Sequence, residues 1–180
     1  TDLSPLESLD SLRHLQLQIP DVRDLSPLAK LSNLRFLFIF KLREGVSLAP
    51  LGRLRHLDSL YLSGSVKDLS ATSSLNLKVF SLIDSQVNSI SVLSEMEDLE
   101  SVKLIDSPVK EISCLEGKSE LESVSISDCP VTDFAVLAQL PKVRHMRLGR
   151  TLVANLDFIR DLKTIETLEL YSTNVVDISA

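Results

Sequence analysis

The chain has 180 residues, of which 44% are hydrophobic, so it has enough apolar material for a folded core and is not expected to be disordered. Its net charge is −6 and its Lys and Arg residues are scattered among acidic ones, which argues against a nucleic-acid partner. No stretch approaches the roughly 18 apolar residues that insert in a membrane. The absence of an Asn-x-Ser/Thr sequon favours a cytoplasmic location. Cys114 and Cys129 are too few for a disulfide framework and are interpreted as free thiols.

An internal repeat starts at the beginning of the chain. The motif Leu-Ser-Pro-Leu at residues 3–6 returns at 25–28 and, as Leu-Ala-Pro-Leu, at 48–51. The full unit recurs every 21 to 23 residues, which is typical of a solenoid. We expect a single domain over residues 1–180, part of a larger protein, with about eight repeats at 3–24, 25–47, 48–68, 69–89, 90–111, 112–133, 134–155 and 156–177.

Each repeat changes its apolar period in the middle, from every third residue to every second residue. This change predicts a helical or 3-10 segment followed by a β-strand. Ser4-Pro5 and Ser26-Pro27 match the N-cap and first position of such segments, with the serine hydroxyl accepting from a free amide. One repeat cannot bury its apolar flank alone, so the repeats are expected to stack as an α/β solenoid with one parallel sheet.

The strand and closing motifs resemble those of a known family. Leu99-Glu-Ser-Val102-Lys-Leu104 and Val109-Lys-Glu-Ile112 resemble the leucine-rich repeat, in the 22-residue type of internalins and phosphatase regulators. The resemblance implies a right-handed horseshoe with its sheet on the concave face, short helical or 3-10 segments on the convex face, and a bacterial origin. The family's usual Asn after the strand is replaced by small residues, which the resemblance implies form a buried structural ladder: Ser85, Ser107, Cys129, Thr151 and Thr173. The family's terminal caps are absent, so flanking domains or capping segments are expected outside these residues.

Two columns of acidic residues follow the repeat. Asp84, Asp106 and Asp128 are each 22 residues apart, which stacks three carboxylates along one edge of the sheet. The repulsion between these carboxylates could be compensated in three ways: by a calcium ion, by a basic partner, or by solvent together with Arg150, next in line. The third, a solvated loop column, is the simplest interpretation. The second column is expected to complement the N-termini of the helical segments and comprises Asp24, Asp68, Glu111, Asp133 and Asp177.

No residue pattern indicates catalysis, a cofactor or a metal site. His14, His56 and His145 fall in the first, third and seventh repeats, so none is expected to lie beside another as a general base. Neither cysteine is spaced from a second ligand as zinc sites require. The sequence therefore predicts a protein that is not an enzyme.

The outward positions of the strands identify a candidate binding surface. Phe36, Phe38 and Phe40 should project from one strand, with Tyr61 on the next, and exposed aromatic residues are typical of interface hot spots. The alternative is that an adjacent domain or a missing cap covers them. A shallow saddle of small and apolar residues should follow, then a basic position that could instead pair internally with Glu169. The remaining candidate partner-binding residues are Ser81, Ile83, Lys103, Ile105, Ser125 and Arg147.

These features together favour a binding module. We expect protein–protein interaction or ligand sensing on the concave face, with the partner footprint centred on the second and third repeats. The alternatives are the recognition arm of a larger enzyme, such as a nucleotide-dependent immune-type ATPase or a ligase, a bacterial surface adhesin, or a structural spacer.

Overall fold

The computed structural model describes residues 1–18 and 21–175. Within them, eight strands form one parallel sheet in which each strand pairs with its neighbours in chain order. This arrangement follows from the repeat, because each coil returns the chain to the same edge one strand spacing further on. The strands are β1 (His14–Leu17), β2 (Phe36–Leu42), β3 (Ser59–Gly64), β4 (Val79–Ile83), β5 (Ser101–Ile105), β6 (Ser123–Ser127), β7 (His145–Gly149) and β8 (Thr167–Glu169).

A short 3-10 segment precedes every strand and forms the opposite, convex side of the coil. The predicted fold, a right-handed leucine-rich-repeat horseshoe with its sheet on the concave face, is thereby confirmed. None of the helical segments in the described residues is long and apolar enough to cross a membrane. The segments are η1 (Ser4–Ser8), η2 (Ser26–Lys30), η3 (Ala49–Arg53), η4 (Ser70–Thr72), η5 (Ser91–Glu95), η6 (Ser113–Leu115), η7 (Ala135–Gln139) and η8 (Asp157–Ile159).

The N-cap prediction for Ser4 and Ser26 is wrong. Each serine is the first residue of its segment, and its amide and hydroxyl both donate to the aspartate two residues earlier. Asp24 accepts from the Ser26 amide at 2.8 Å and from the Ser26 hydroxyl at 2.7 Å, and these bonds lower the pKa of its carboxyl. The serine is a donor here because a carboxylate is the stronger acceptor.

Other members of the predicted second acidic column act in the same way. Asp68 accepts from the Ser70 amide and hydroxyl, and Asp133 accepts from the Ala135 amide at 2.9 Å. Asp177 lies outside the described residues, as does the end of the eighth predicted repeat from residue 176 onward.

The core lies between the sheet and the 3-10 segments and is almost entirely aliphatic. Leu37, Leu60, Leu82 and Leu104 come from the inward positions of successive strands and are completely or almost completely buried. Phe80 in β4 is the aromatic residue that is fully buried among them. Because each coil packs only on its neighbours, stability is expected to be the sum of these interfaces.

The residues that follow directly after strands β4 to β7 have left-handed backbone geometry. In Asp84, Asp106 and Asp128 φ lies between 49° and 54°, and Arg150 adopts φ 49°. Ser172, three residues after the end of β8, adopts φ 53°. Aspartate tolerates this conformation better than most residues because its side chain can bond locally. The first acidic column is therefore explained by the turn that the backbone makes as it leaves the sheet.

The junction of β2 and β3 departs from this regularity. Ile39 pairs with Leu62, but the next pair is Leu42 with Gly64, so β2 carries an extra residue. Lys41 adopts φ 55° within this bulge, and Gly64 adopts φ 103°. A Cβ on Gly64 would lie 2.6 Å from backbone atoms of Leu42, so only glycine fits opposite the bulge.

Candidate binding surface

The concave face is the side of the sheet turned away from the core, and its outward side chains align in columns across the strands. Parallel pairing places Phe38 beside Tyr61, and Tyr61 beside Ser81. The same row continues through Lys103 to Ser125 and Arg147. Side chains alternate between faces of a strand, so the register assembles this row from separate repeats.

An aromatic cluster occupies the first three strands of this face. The ring of His14 stacks on Phe36 at 4.0 Å with nearly parallel planes, and Phe36 lies 5.1 Å from Tyr61. Phe38 makes an edge contact with Tyr61 at 6.2 Å and lies 6.1 Å from Phe40. Four of the five rings are the predicted ones, and the structure brings them into one continuous group that we call the aromatic cluster. His14 belongs to it because the register places it directly beside Phe36.

The bulge sets the outer edge of the aromatic cluster. Phe36, Phe38 and Tyr61 are half-buried, whereas Phe40 at the bulge is 39% exposed. The Lys41 ammonium lies 5.2 Å from the centre of the Phe40 ring, a cation–π contact. The contact of Lys41 could not be predicted, because nothing in the sequence marks a left-handed lysine within a strand.

The predicted shallow saddle of small and apolar residues is more buried than expected. Ser81 is 1% exposed and Ser125 is 8% exposed, and neither hydroxyl has a hydrogen-bond partner within the described residues. Each serine lies between two longer side chains in the register, with Lys103 on one side of both. Ile83 and Ile105 are half-buried neighbours in the next column, as expected of a low apolar ridge.

The basic position further along the face is paired internally. Arg147 donates from Nε and Nη2 to the two carboxylate oxygens of Glu169, at 2.6 and 2.7 Å. These bonds lower the pKa of Glu169 and raise that of Arg147. The pair is exposed and contributes little to stability. Beside it, His145 lies 3.3 Å from the Thr167 hydroxyl.

The predicted structural ladder lies at the far edge of the sheet. Ser85, Ser107, Cys129 and Thr151 are buried, and Thr173 is partly buried. The Ser85 and Ser107 hydroxyls are 2.9 Å apart, and Cys129 Sγ donates to the Ser127 carbonyl at 3.3 Å. Burial raises the pKa of the Cys129 thiol, which keeps it protonated and unreactive.

The first acidic column does not form a metal centre. Asp128 forms a salt bridge with Arg150 at 2.7 Å, which is the relief expected from the sequence. No group of three or more His, Cys, Asp or Glu side chains in residues 1–18 and 21–175 is arranged to hold a metal ion. Burial raises the pKa of the other cysteine, Cys114, to about 11.

Solved structures share this architecture. An internalin (InlF) from Listeria monocytogenes superposes with a TM-score of 0.87 at 25% identity, over 96% of this chain and 52% of the internalin. The chain has the leucine-rich-repeat fold and is similar to internalins in its repeat. It spans about half the length of the internalin InlF. A second Listeria internalin, internalin C2, matches with a TM-score of 0.85 at 24% identity, over 95% of this chain and 76% of that one.

The leucine-rich-repeat fold also relates the chain to a more distant receptor. The plant peptide hormone receptor RGFR1, in complex with RGF2, matches with a TM-score of 0.66 at 13% identity, over 93% of this chain and 33% of the receptor. At this identity the likeness shows the fold alone. No protein-family model and no curated protein matches the sequence.

Proposed function

We propose that this leucine-rich-repeat protein is a protein-interaction module that binds its partner on the concave face, with the footprint centred on β2 and β3. The aromatic cluster is the observation that carries the proposal. The centres of its neighbouring rings lie 4.0 to 6.2 Å apart, and the rings remain partly exposed to solvent. Contact with a partner would remove their apolar surface from water, which favours binding. The likeness to an internalin at 25% identity supports an interaction role in general terms.

The rigidity of the cluster favours tight association. Four of its rings, those of His14, Phe36, Phe38 and Tyr61, stand on strand positions that pair with a neighbouring strand, so little backbone entropy is lost there on binding. Their mutual contacts also restrict side-chain rotation before a partner arrives. Aromatic residues held in this way are the residue types that dominate binding free energy in interfaces.

The shape and charge of the face favour a macromolecule over a small ligand or nucleic acid. The cavity lined by Ser125, Arg147 and Glu169 has a volume of about 210 Å³, below the usual range for small-molecule sites. The charge of Arg147 is neutralised by Glu169. Among the described concave positions of β4 to β7, Lys103 is therefore the basic residue that has no ion pair. A phosphate backbone requires many cations, so a protein surface is the better fit.

Site-specific photo-cross-linking tests the proposal. A benzophenone amino acid at Ser59, which lies beside Phe36 in the register, should capture discrete proteins from a lysate of the source cells. The same probe at Lys30, on the convex segment η2, should not. Combining the Ser59 probe with Phe36→Ala and Phe38→Ala should abolish capture, whereas Tyr171→Ala should not, because that exposed ring lies at the far end of the face.

Two results would contradict the proposal. Equal capture from the Ser59 and Lys30 positions would mean that the concave face is not favoured. Capture from Ser59 that survives both phenylalanine substitutions would remove the aromatic cluster from the interface. Thermal unfolding of each variant checks that lost capture is not lost folding.

A further inference from the structure

Lys103 occupies an unusual place on the concave face. The nine outward positions of β4, β5 and β6 carry one charged residue, Lys103, and the described residues offer its ammonium neither a carboxylate nor a hydrogen-bond acceptor. By contrast, Arg147 on β7 has Glu169 as a partner. The other eight outward positions are neutral: Val79, Ser81, Ile83, Ser101, Ile105, Ser123, Ser125 and Ser127.

The hydroxyls on both sides of Lys103 also lack partners. Ser81 and Ser125 pair with Lys103 in the register from the two neighbouring strands, and both Oγ atoms are buried without a hydrogen bond. An unsatisfied buried hydroxyl is costly, and most are satisfied in folded proteins. Lys103 is the flexible side chain common to both, so its displacement would open both hydroxyls to an acceptor.

One ammonium beside a hydroxyl donor matches a carboxylate, which has two oxygens and accepts several hydrogen bonds. Ser81 and Ser125 lie on opposite sides of Lys103, two strands and roughly 10 Å apart, so a single carboxylate beside Lys103 reaches one of them. Ile83 and Ile105 in the next column lower the local exposure to water, which strengthens a charged contact. Asp84 and Asp106 lie beyond these isoleucines at the edge of the sheet and would repel an acid placed further along the strand. The favourable position for a partner's carboxylate is therefore confined to the surroundings of Lys103.

The register also fixes the distance from this position to the aromatic cluster. Tyr61 is two strands from Lys103 and Phe38 is three strands away, which corresponds to roughly 10 and 14 Å. An extended segment crossing the strands covers about 3.3 Å per residue, so these distances correspond to roughly three or four residues.

We propose that Lys103, together with the hydroxyl of either Ser81 or Ser125, forms a carboxylate-recognition site, and that the partner presents an Asp or Glu side chain three or four residues from an apolar residue seated on the aromatic cluster. This inference rests on the proposed function, since it names the chemistry of the partner at the same face. Lys103 supplies the charge, and the serine on the side of the bound carboxylate donates a hydrogen bond once the lysine has moved away from it.

A display selection tests the site with a defined probe. The probe is a library of random 12-residue linear peptides fused through their C-termini, so that only side-chain carboxylates are available. It is selected on the wild-type chain, on Lys103→Glu, and on Lys30→Glu, which makes the same charge change on the convex side. Wild type and Lys30→Glu should enrich an acid at the stated spacing, whereas Lys103→Glu should enrich Lys or Arg there.

Single substitutions then measure the parts of the site with one enriched peptide. Lys103→Met should weaken binding roughly tenfold or more, because a charge-assisted contact is lost. One of Ser81→Ala and Ser125→Ala should weaken it roughly threefold. Both substitutions should leave the melting temperature unchanged or higher, because a buried hydroxyl without a partner is removed. A merely structural serine would instead lower the melting temperature and leave affinity unchanged.

Enrichment of acids that persists on Lys103→Glu would overturn the inference. Enrichment of peptides that need Phe38 but show no charge preference would also overturn the inference, without contradicting the proposed function. Peptides that bind equally well to Phe38→Ala would count against the inference, and the cross-linking at Ser59 then decides separately whether the concave face binds proteins.

Discussion

The first three strands and the next four are built from the same repeat, yet they place contrasting side chains on the concave face. From β4 to β7 the register is unbroken and the outward side chains are mostly small. From β1 to β3 a bulge interrupts the register, and five rings cover the face. The inward residues are apolar in both regions and almost all aliphatic. The difference shows that the fold constrains the inner side of each strand and leaves the outer side free to vary.

The largest expected effect comes from the strand where the two regions meet. Phe80 in β4 is fully buried between Leu60 and Val102 in the register. Phe80→Ala should lower the free energy of unfolding by about 4 kcal/mol, because a large cavity would open at the coil that joins the regions. Urea unfolding followed by circular dichroism measures this. Val79→Ala, on the outward side of the same strand, should cost under about 1 kcal/mol, and equal losses would show that the two faces are not energetically distinct.

The next effect tests whether the bulge is built into the first region. Gly64→Ala should lower the free energy of unfolding by about 3 kcal/mol, since its Cβ would meet backbone atoms of Leu42 at 2.6 Å. Gly117 is the matched control, because it also has positive φ but nothing within 4 Å of an added Cβ. Gly117→Ala should cost only about 1 kcal/mol. Similar losses for the two glycines would mean that the bulge yields easily.

A glycine in the regular region should respond differently to the same substitution. An added Cβ on Gly149 would meet the Tyr171 ring at 2.0 Å, but that ring is a side chain and is 41% exposed. Gly149→Ala should therefore cost about 1 kcal/mol, by turning the ring outward and breaking its 2.9 Å hydrogen bond with Ser127. Tyrosine fluorescence should report the new environment of Tyr171. A loss as large as that of Gly64→Ala would show that the ring is held in place.

The sequence predicted the fold because the change of apolar period and the 22-residue spacing depend only on which residues face inward. It also predicted that Phe36, Phe38 and Tyr61 would meet, since equal repeat lengths imply equal register. The burial of Ser81 and Ser125 could not be predicted, because it depends on the conformations of longer side chains in neighbouring repeats. The capping error has a similar origin. A serine can donate or accept, and its role depended on an aspartate two residues earlier.

The smallest expected effect distinguishes the two regions by their response to acid. In the first region Asp2 and Asp24 cap η1 and η2, and hydrogen bonds from serine hydroxyls and amides lower the pKa of each carboxyl. In the second region η5 is capped by Ser89, which does not titrate.

A lowered folded-state pKa means that the carboxylate stabilises the fold above its ordinary pKa and that this contribution is lost as the pH falls through the folded-state value. The η1 and η2 segments of the first region should therefore loosen below about pH 4, ahead of η5 in the second. Amide chemical shifts of Ser26 and Ser91 in an NMR titration from pH 6 to pH 2 measure this directly. The Ser26 amide should titrate below the ordinary aspartate midpoint, and the Ser91 amide, which donates to the Ser89 hydroxyl, should not follow it. Asp24→Asn keeps an acceptor oxygen for the amide and should remove the Ser26 titration. A Ser26 midpoint at or above the ordinary value would show that the capping bonds do not persist in solution.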